Sequence, residues 1–501
     1  MRPRDSRPGI RSSAFWVVAA LLFVAAMGLR YWGLGRASLW LDEILQLNCT
    51  TLPLKQMWQC FPADKPPLDY AIQWLFLRGG DGERTARFHA CLFGSILVPI
   101  MALFGRRLAP QTSFSITLGL VALANPLLIR FSQEGRPYAL MLLAETLFLA
   151  ALWKIVQGMW RGRPARVGAT ESKLECCTRV GCPRHVLALG ATLLLCLWTH
   201  YLALFGAVVA LVLAAGIWCV ERPKVFTRRD AALAAGVLAA VALAALPLWL
   251  RAQGKAPSEF NAPFHPDSLK MTGQYLDIYT MGYEWWMRLE GARWLFAALA
   301  LTGWIGWAMS DRRAAAHFCG LHFLICFFGP FLAYWKANHW MEMRYTLAAL
   351  PTALALMAMG LDVLGRGVAK ALRKPDAKLC GAVLASILLV ANIAYVVAHP
   401  FLRSDWRALG KRLEREARPD AVVVVGESFN RYGVEYYLRR RGLQIPVVVA
   451  ASDPQVLRRL RDEGRDVWSV VEGYAVPPAF TAEREKMAPL KPPIYGVDVR
   501  R

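Results

Sequence analysis

Long apolar stretches recur along this chain, and the loops between them carry positive charge on alternate sides. That pattern limits the fold to a membrane-embedded helical bundle. The stretches are residues 14–34, 88–105, 113–130, 138–157, 186–200, 203–220, 231–250, 293–309, 315–334, 345–364 and 379–398, eleven in all. Several lie near the ~17-residue minimum for a helix that crosses the hydrocarbon core. The 501 residues are 56% hydrophobic and only 19% charged, against about 25% charged in soluble domains. The expected class is therefore a polytopic α-helical membrane protein of about eleven spans. Residues 66–80 are too short to span and are led by prolines, which marks them as an interfacial or re-entrant helix. Thr199-His200-Tyr201 interrupts the 186–220 region, which reads as two short helices meeting at a polar break or as one long bent helix. The first apolar run lacks a small-residue cleavage site and reads as an anchor.

The formal net charge is +23, but its distribution argues against nucleic acid. Arg and Lys cluster in alternate loops: Arg2, Arg4, Arg7 and Arg11; Arg106 and Arg107; residues 154–184; residues 222–229; Arg312 and Arg313; residues 366–378. The positive-inside rule assigns these loops to the cytoplasm. The Asp42 loop, Gln133-Glu134, His200, residues 251–292, Arg344 and the C-terminus then face the other side. The location expected is the cell inner membrane, with the working face periplasmic or extracellular. Of the eleven cysteines, most lie in spans, where Cys acts as a small hydrophobe. Cys49 and Cys60 share the first outer loop, an oxidising place, where they either pair or stay free. Cys176, Cys177, Cys182 and His185 do not have a standard zinc spacing.

The membrane part, residues 1–400, ends near His399-Pro400. Residues 401–501 change character. Residues 405–418 read as an amphipathic helix, 421–425 as a buried strand, 430–441 as a helix and 444–450 as a second strand. Asp453 opens a further helix, and 466–471 form a third strand. This alternation predicts a small α/β domain outside the membrane. It carries neither G-x-G-x-x-G nor a Walker loop, so no nucleotide site is signalled, and a structural or acceptor-positioning role is expected.

The residues that suggest chemistry all sit at the outer ends of spans. Ser38-Leu39-Trp40-Leu41-Asp42-Glu43 follows the first apolar run. Asp64-Lys65-Pro66-Pro67-Leu68-Asp69-Tyr70 lies in the same loop, where two prolines stiffen the chain and hold Lys65 at the membrane surface. Ser132-Gln133-Glu134-Gly135-Arg136-Pro137-Tyr138 forms the turn between two spans, and Arg344-Tyr345 opens another. Carboxylates and cations at one interfacial depth suit a lipid-linked phosphate leaving group and a hydroxyl nucleophile. Cations neutralise the departing phosphate and a carboxylate removes the acceptor proton.

In order, the chain carries S-L-W-L-D-E, K-P-P-L-x-Y, R-F-H-A-C-L-F-G…F-G-R-R-L, N-P-L-L-I-R-F-S-Q-E-G-R-P-Y-A-L, T-H-Y and R-Y-T-L-A-A-L-P. This series resembles the C-type membrane glycosyltransferases. The branch is the bacterial one related to dolichyl-phosphate-mannose protein mannosyltransferases, with the lipopolysaccharide-core and lipid A sugar transferases. The resemblance covers about residues 10–400, and the D-W-R-A-L of the trailing domain also fits. It implies inverting transfer of a sugar from a polyprenyl-phosphate donor to an acceptor hydroxyl of a glycolipid, polysaccharide or protein. It further implies Asp42 as catalytic base, Glu43 as its support, Glu134 as second acid, and Lys65, Arg344 and Arg136 around the donor phosphate. Tyr70, Gln133, Tyr138 and His200 are the remaining expected substrate contacts. A divalent metal ion, if one takes part, is expected on Asp42 and Glu134. Gly135 stands where Ala is commoner in the resembling chains, which implies a looser turn. Other branches place His before the two prolines, where this chain has Lys65.

Each assignment has a plainer competitor. Lys65 also fits a snorkelling surface lysine. Arg136 also fits an interfacial anchor or an ion-pair partner of Glu134, and Arg344 also fits a simple pair with Glu342. His200 also fits a hydrogen-bonder at the helix break. Phe260, Phe264, His265, Tyr275, Tyr279, Tyr283, Trp285 and Trp286 suit sugar stacking or a lid, and equally an aromatic belt. Glu145, about 10 Å further into the membrane than Tyr138, must be protonated or paired. The competing function is a transporter or flippase of a lipid-linked sugar. Such proteins bind at the membrane midplane, whereas the charged residues here gather at one face.

Overall fold

Helices carry nearly all of the described residues of the membrane part, because only a helix satisfies every backbone polar group within its own segment. The computed structural model describes residues 12–60, 65–80, 82–161, 183–221, 238–244, 268–284, 287–337, 342–373, 380–398, 404–450, 455–471, 478–491 and 497–501, with isolated residues between them. The expected basic loop with Cys176, Cys177 and Cys182 lies outside these residues, as do half of span 231–250, Asp64, and Phe260, Phe264, His265, Trp285 and Trp286.

The first ten helices are α1 Ser12–Tyr31, α2 Leu41–Thr50, α3 Leu54–Cys60, α4 Leu68–Phe76, α5 Glu83–Leu108, α6 Thr112–Ala124, α7 Pro126–Ser132, α8 Tyr138–Arg161, α9 Pro183–Thr199 and α10 Tyr201–Glu221. Further helices of the described residues are Ser268–Met281, Ala292–Ala308, Arg313–Ala337, Leu350–Ala371 and Cys380–Ala398. Among the described residues six helices are long and apolar enough to cross a membrane, or seven if the bent pair α6 and α7 counts as one span. Residues 186–220 form two helices, α9 and α10, with His200 in the break between them. Residues 66–80 are the short α4 and one 3-10 turn.

The stretch 113–130 is not the continuous helix expected from its hydropathy. It bends by 60° between α6 and α7. Pro126 has no N–H to give the preceding turn and pushes Asn125 into an extended conformation, at φ −61° and ψ 118°. Asn125 then caps α7, its side chain accepting from the Leu128 N–H at 3.1 Å, and its amide donates to the Tyr279 carbonyl at 2.7 Å. The carbonyls released at the end of α6 are met by Arg30, a fully buried guanidinium. It donates to Leu123 and Ala122 at 3.3 and 3.4 Å and to the Ser132 hydroxyl at 3.1 Å.

By its internal contacts the chain divides into two compact units, each discontinuous in sequence. One comprises residues 1–32, 62–69 and 89–399; the other comprises 33–61, 70–88 and 400–501. In the first, Ala292–Ala308 and Leu350–Ala371 pack backbone against backbone. A Cβ at Gly303 would meet the Gly360 nitrogen at 2.5 Å, and one at Gly360 would collide with the Leu299 carbonyl. Small residues at such crossings are how apolar helices approach closely in lipid. Tyr275 and Tyr279 lie in this core, 2% and 0% exposed. The Tyr279 hydroxyl donates to the Thr346 carbonyl at 2.6 Å, so these two aromatics are structural and not part of a lid. Glu145 is fully buried in the same core, 3.9 Å from His322 Nε2.

In the second unit, four strands make a sheet: β3 Val422–Val425, β4 Val447–Val449, β5 Val467–Val471 and β6 Asp498–Arg500, after a small hairpin β1 Gly282–Glu284 and β2 Met287–Arg288 that belongs to the first unit. The order is β4-β3-β5-β6, with β3 parallel to both neighbours and β6 antiparallel. Val423, Val425, Trp468 and Val470 share a core with Trp406, Leu409, Tyr437 and, from the distant first loop, Leu39, Ile44, Leu47 and Ala86. Cys49 and Cys60 form a disulfide with Cα atoms 5.5 Å apart.

Candidate functional site

Two groups of the expected residues emerge, one in each unit. In the membrane unit the Ser132–Tyr138 turn is set by its neighbours. Gln133 donates through its amide to the Arg30 and Trp32 carbonyls at 2.9 and 2.8 Å. Its amide nitrogen thus holds the end of α1 and is not offered to a substrate. The turn closes with the Arg136 N–H on the Glu134 carbonyl at 2.7 Å. Gly135 does not take the left-handed conformation that would demand glycine, so the looser turn expected there does not depend on backbone strain. Glu134 is buried, with Arg130 Nε 3.8 Å from its carboxylate. Sequence reading did not name Arg130, although its i, i+4 spacing from Glu134 is the available signal.

Tyr138, at the start of α8, is 3% exposed. Its ring lies 4.9 Å from Phe131 and 5.8 Å from His200, and its hydroxyl accepts from Arg344 at 3.3 Å. Arg344 is also bound to Glu342, Nε to Oε2 at 2.6 Å and Nη2 to Oε1 at 2.8 Å. The plain ion pair is therefore present, and Arg344 reaches Tyr138 in addition. His200 sits in the break, outside both helices, where its Nδ1 accepts from the Leu202 N–H at 3.1 Å. Burial first, then the positive fields of Lys65, Arg136 and Arg344, hold its pKa down to about 3 against the opposing pull of Asp69. The imidazole is thus neutral, and three cations from three separate sequence segments act on one point. Asp69 Oδ1 lies 3.3 Å from His89 Nε2, both buried; this pair was not expected, and R-F-H at the head of an apolar run is the only hint of it.

In the other unit Asp42 is half-buried in the first turn of α2, one residue ahead of a fully buried acid. Glu43 is 1% exposed and both its oxygens are taken by Arg87, at 2.7 and 2.6 Å. Arg87 also binds the carbonyls of Leu34, Ala37 and Ser38 at 3.2, 2.7 and 2.9 Å. Glu43 therefore anchors the stretch. Arg87 was missed in the sequence because it heads a span and reads as an interfacial anchor. Tyr70 packs with Cys49 and Met57 in a small buried cluster, which makes it a core residue.

Among the described residues no group of three or more His, Cys, Asp and Glu side chains is gathered that can hold a metal ion.

Neither a protein-family profile nor a curated protein sequence matches the chain. Solved structures do. ArnT from Cupriavidus metallidurans in the apo state is 13% identical, with a TM-score of 0.58 over 97% of this chain and 98% of that one. The same protein bound to undecaprenyl phosphate is 13% identical, with a TM-score of 0.52 over 97% of each chain. At that identity the likeness is one of fold, and it extends over nearly the whole length: the chain has the fold of ArnT.

Proposed function

We propose that the protein transfers a sugar from a polyprenyl-phosphate donor to an acceptor hydroxyl at the extracytoplasmic face of the inner membrane. The observation that carries this reading is Arg344 on the Tyr138 hydroxyl at 3.3 Å, with the Tyr138 ring 5.8 Å from His200, in a place where the positive fields of Lys65 and Arg136 are also felt. Such a group of cations compensates a phosphodiester on its way to becoming a phosphate monoester, whose negative charge grows as the sugar leaves. The fold of ArnT, one structure of which holds undecaprenyl phosphate, supports a lipid-linked donor. In this reading Asp42 takes the proton of the acceptor hydroxyl and the hydroxyl displaces the phosphate with inversion. Glu134, held beside Arg130, contacts donor sugar or acceptor. The short helices α9, α10 and Ala292–Ala308 are counted as crossings toward the eleven spans, and residues 401–501 lie on the same side as Asp42.

Labelled polyprenyl-phosphate sugar, incubated with the purified protein and cell-envelope acceptors, tests the reading. The native protein should form labelled glycoconjugate. Asp42→Asn keeps the shape but not the basicity, and should lower turnover by ~10² or more. Lys65→Met and Arg344→Met should each lower kcat/KM for the donor by roughly tenfold. Absence of transfer with every donor sugar, or full activity of all three variants, overturns it.

A further inference from the structure

Residues 34–39 lie outside the regular helices and strands, yet Leu34, Ala37, Ser38 and Leu39 are buried. Buried backbone groups need partners, and here side chains supply them. Arg87 takes the carbonyls of Leu34, Ala37 and Ser38. Further partners come from the C-terminal hundred residues. Arg407 donates to the Gly35 and Arg36 carbonyls at 3.2 and 2.8 Å. The Ser38 hydroxyl donates to Asp405 Oδ1 at 2.9 Å and accepts from the Arg407 N–H at 3.2 Å. The Leu39 N–H donates to the Tyr437 hydroxyl at 2.9 Å, and that hydroxyl donates to Glu83 at 3.1 Å. Burial and the adjacent Glu83 raise the phenol pKa, so Tyr437 keeps the proton it donates. Asp405 also caps its own helix, Trp406–Glu416, accepting from the Ala408 N–H at 3.0 Å. Trp406 lies in the core shared with Leu39, Ile44 and Leu47. The D-W-R triplet is thereby accounted for residue by residue: a cap and hydroxyl acceptor, a core anchor and a carbonyl clamp.

The contacts that Asp405, Arg407 and Tyr437 make to this segment fall on Gly35, Arg36, Ser38 and Leu39, within the five residues that lead into Trp40, Leu41 and Asp42. We propose that Asp405, Arg407 and Tyr437 are positioning residues that fix the segment 35–39 and hence aim the Asp42 carboxylate. The C-terminal domain then belongs to the catalytic apparatus. The proposal rests on the reading of Asp42 as the base. A carboxylate displaced by about 1 Å from its reaction geometry loses on the order of 10²-fold in rate, so a modest slackening of this clamp is visible in kcat.

Tyr437→Phe keeps the ring in the core and deletes the hydroxyl that links Leu39 to Glu83. It should lower kcat about tenfold and leave the donor KM within about twofold, since the donor cations lie on other segments. Ser38→Ala removes a single hydroxyl from the clamp and should show the same pattern at about threefold. Thermal unfolding of both variants gives the folded fraction, so activity is read per folded molecule. The deciding measurement is the double-mutant cycle with Asp42→Asn. A residue that acts through Asp42 should cost nothing further once the carboxylate is gone. An equal loss in both backgrounds, or a rise in donor KM without a fall in kcat, overturns the positioning role and leaves the Asp42 reading intact. Near-normal turnover of Asp42→Asn by itself overturns that reading, and the positioning role falls with it.

Discussion

His200 accepts the Leu202 amide through Nδ1, so the proton of its neutral ring must lie on Nε2. With a pKa of about 3 in the folded protein and ~6.5 when unfolded, only the unfolded chain binds a proton between those values. Stability therefore falls as pH drops from ~6.5 toward 3 and is insensitive to this residue above that window. His200→Gln, which offers similar hydrogen-bonding groups without titrating, should lose less Tm between pH 7.5 and pH 5 than the native protein. Equal Tm losses for the two proteins would show that His200 is not held neutral. The sequence marked His200 as a hydrogen-bonder because a polar triplet interrupts an apolar run. It gave no sign that Lys65, Arg136 and Arg344 act on the same ring, since these come from segments far apart in the chain.

At the level of elements, α2 depends on a buried ion pair at its first turn. Glu43 Oε2 accepts from the Trp40 N–H at 3.3 Å as well as from Arg87. Removing one partner of a buried pair leaves an uncompensated charge, typically at a cost of 3–5 kcal/mol. Glu43→Gln should therefore destabilise the protein by about 3 kcal/mol or more, seen in detergent as a lowered denaturation midpoint. A variant with native stability would mean that Arg87 finds full compensation in the carbonyls of Leu34, Ala37 and Ser38. Helix positions were legible because apolar length dominates in lipid. The break at Asn125-Pro126 was written in the sequence too, as a capping residue followed by a proline, but an unbroken apolar run masked it. The anchoring contacts of Glu43, Gln133 and Tyr70 were not legible. Each is a polar or aromatic residue beside a motif, and only the partner across the fold separates anchoring from contact with substrate.

For the molecule as a whole, positive charge fixes the expected sidedness. Reporter fusions after Ala169 and after Arg501 should report opposite compartments. A common compartment for both would reveal an odd error in the span assignment, at 66–80 or near His200. The α/β rhythm of the last hundred residues could be read from alternating apolar and amphipathic segments. That residues 33–61 and 70–88 join them in one unit could not. The hydrogen bond from Ser38 to Asp405 and that from Leu39 to Tyr437 close separations of 367 and 398 residues, and no local pattern encodes a pairing at that range.

That separation sets a clock on biogenesis. At roughly 5–20 residues per second of synthesis, Tyr437 is made about 20 to 80 s after Leu39. Through that interval Leu39, Ile44 and Leu47 have no sheet to pack against, and the acid-bearing segment waits without its final shape. A ribosome that stalls or a transcript truncated before residue 437 would leave a bundle already inserted in the bilayer with its first loop unfinished. The first loop of this protein is thus finished only after residue 437 has been made.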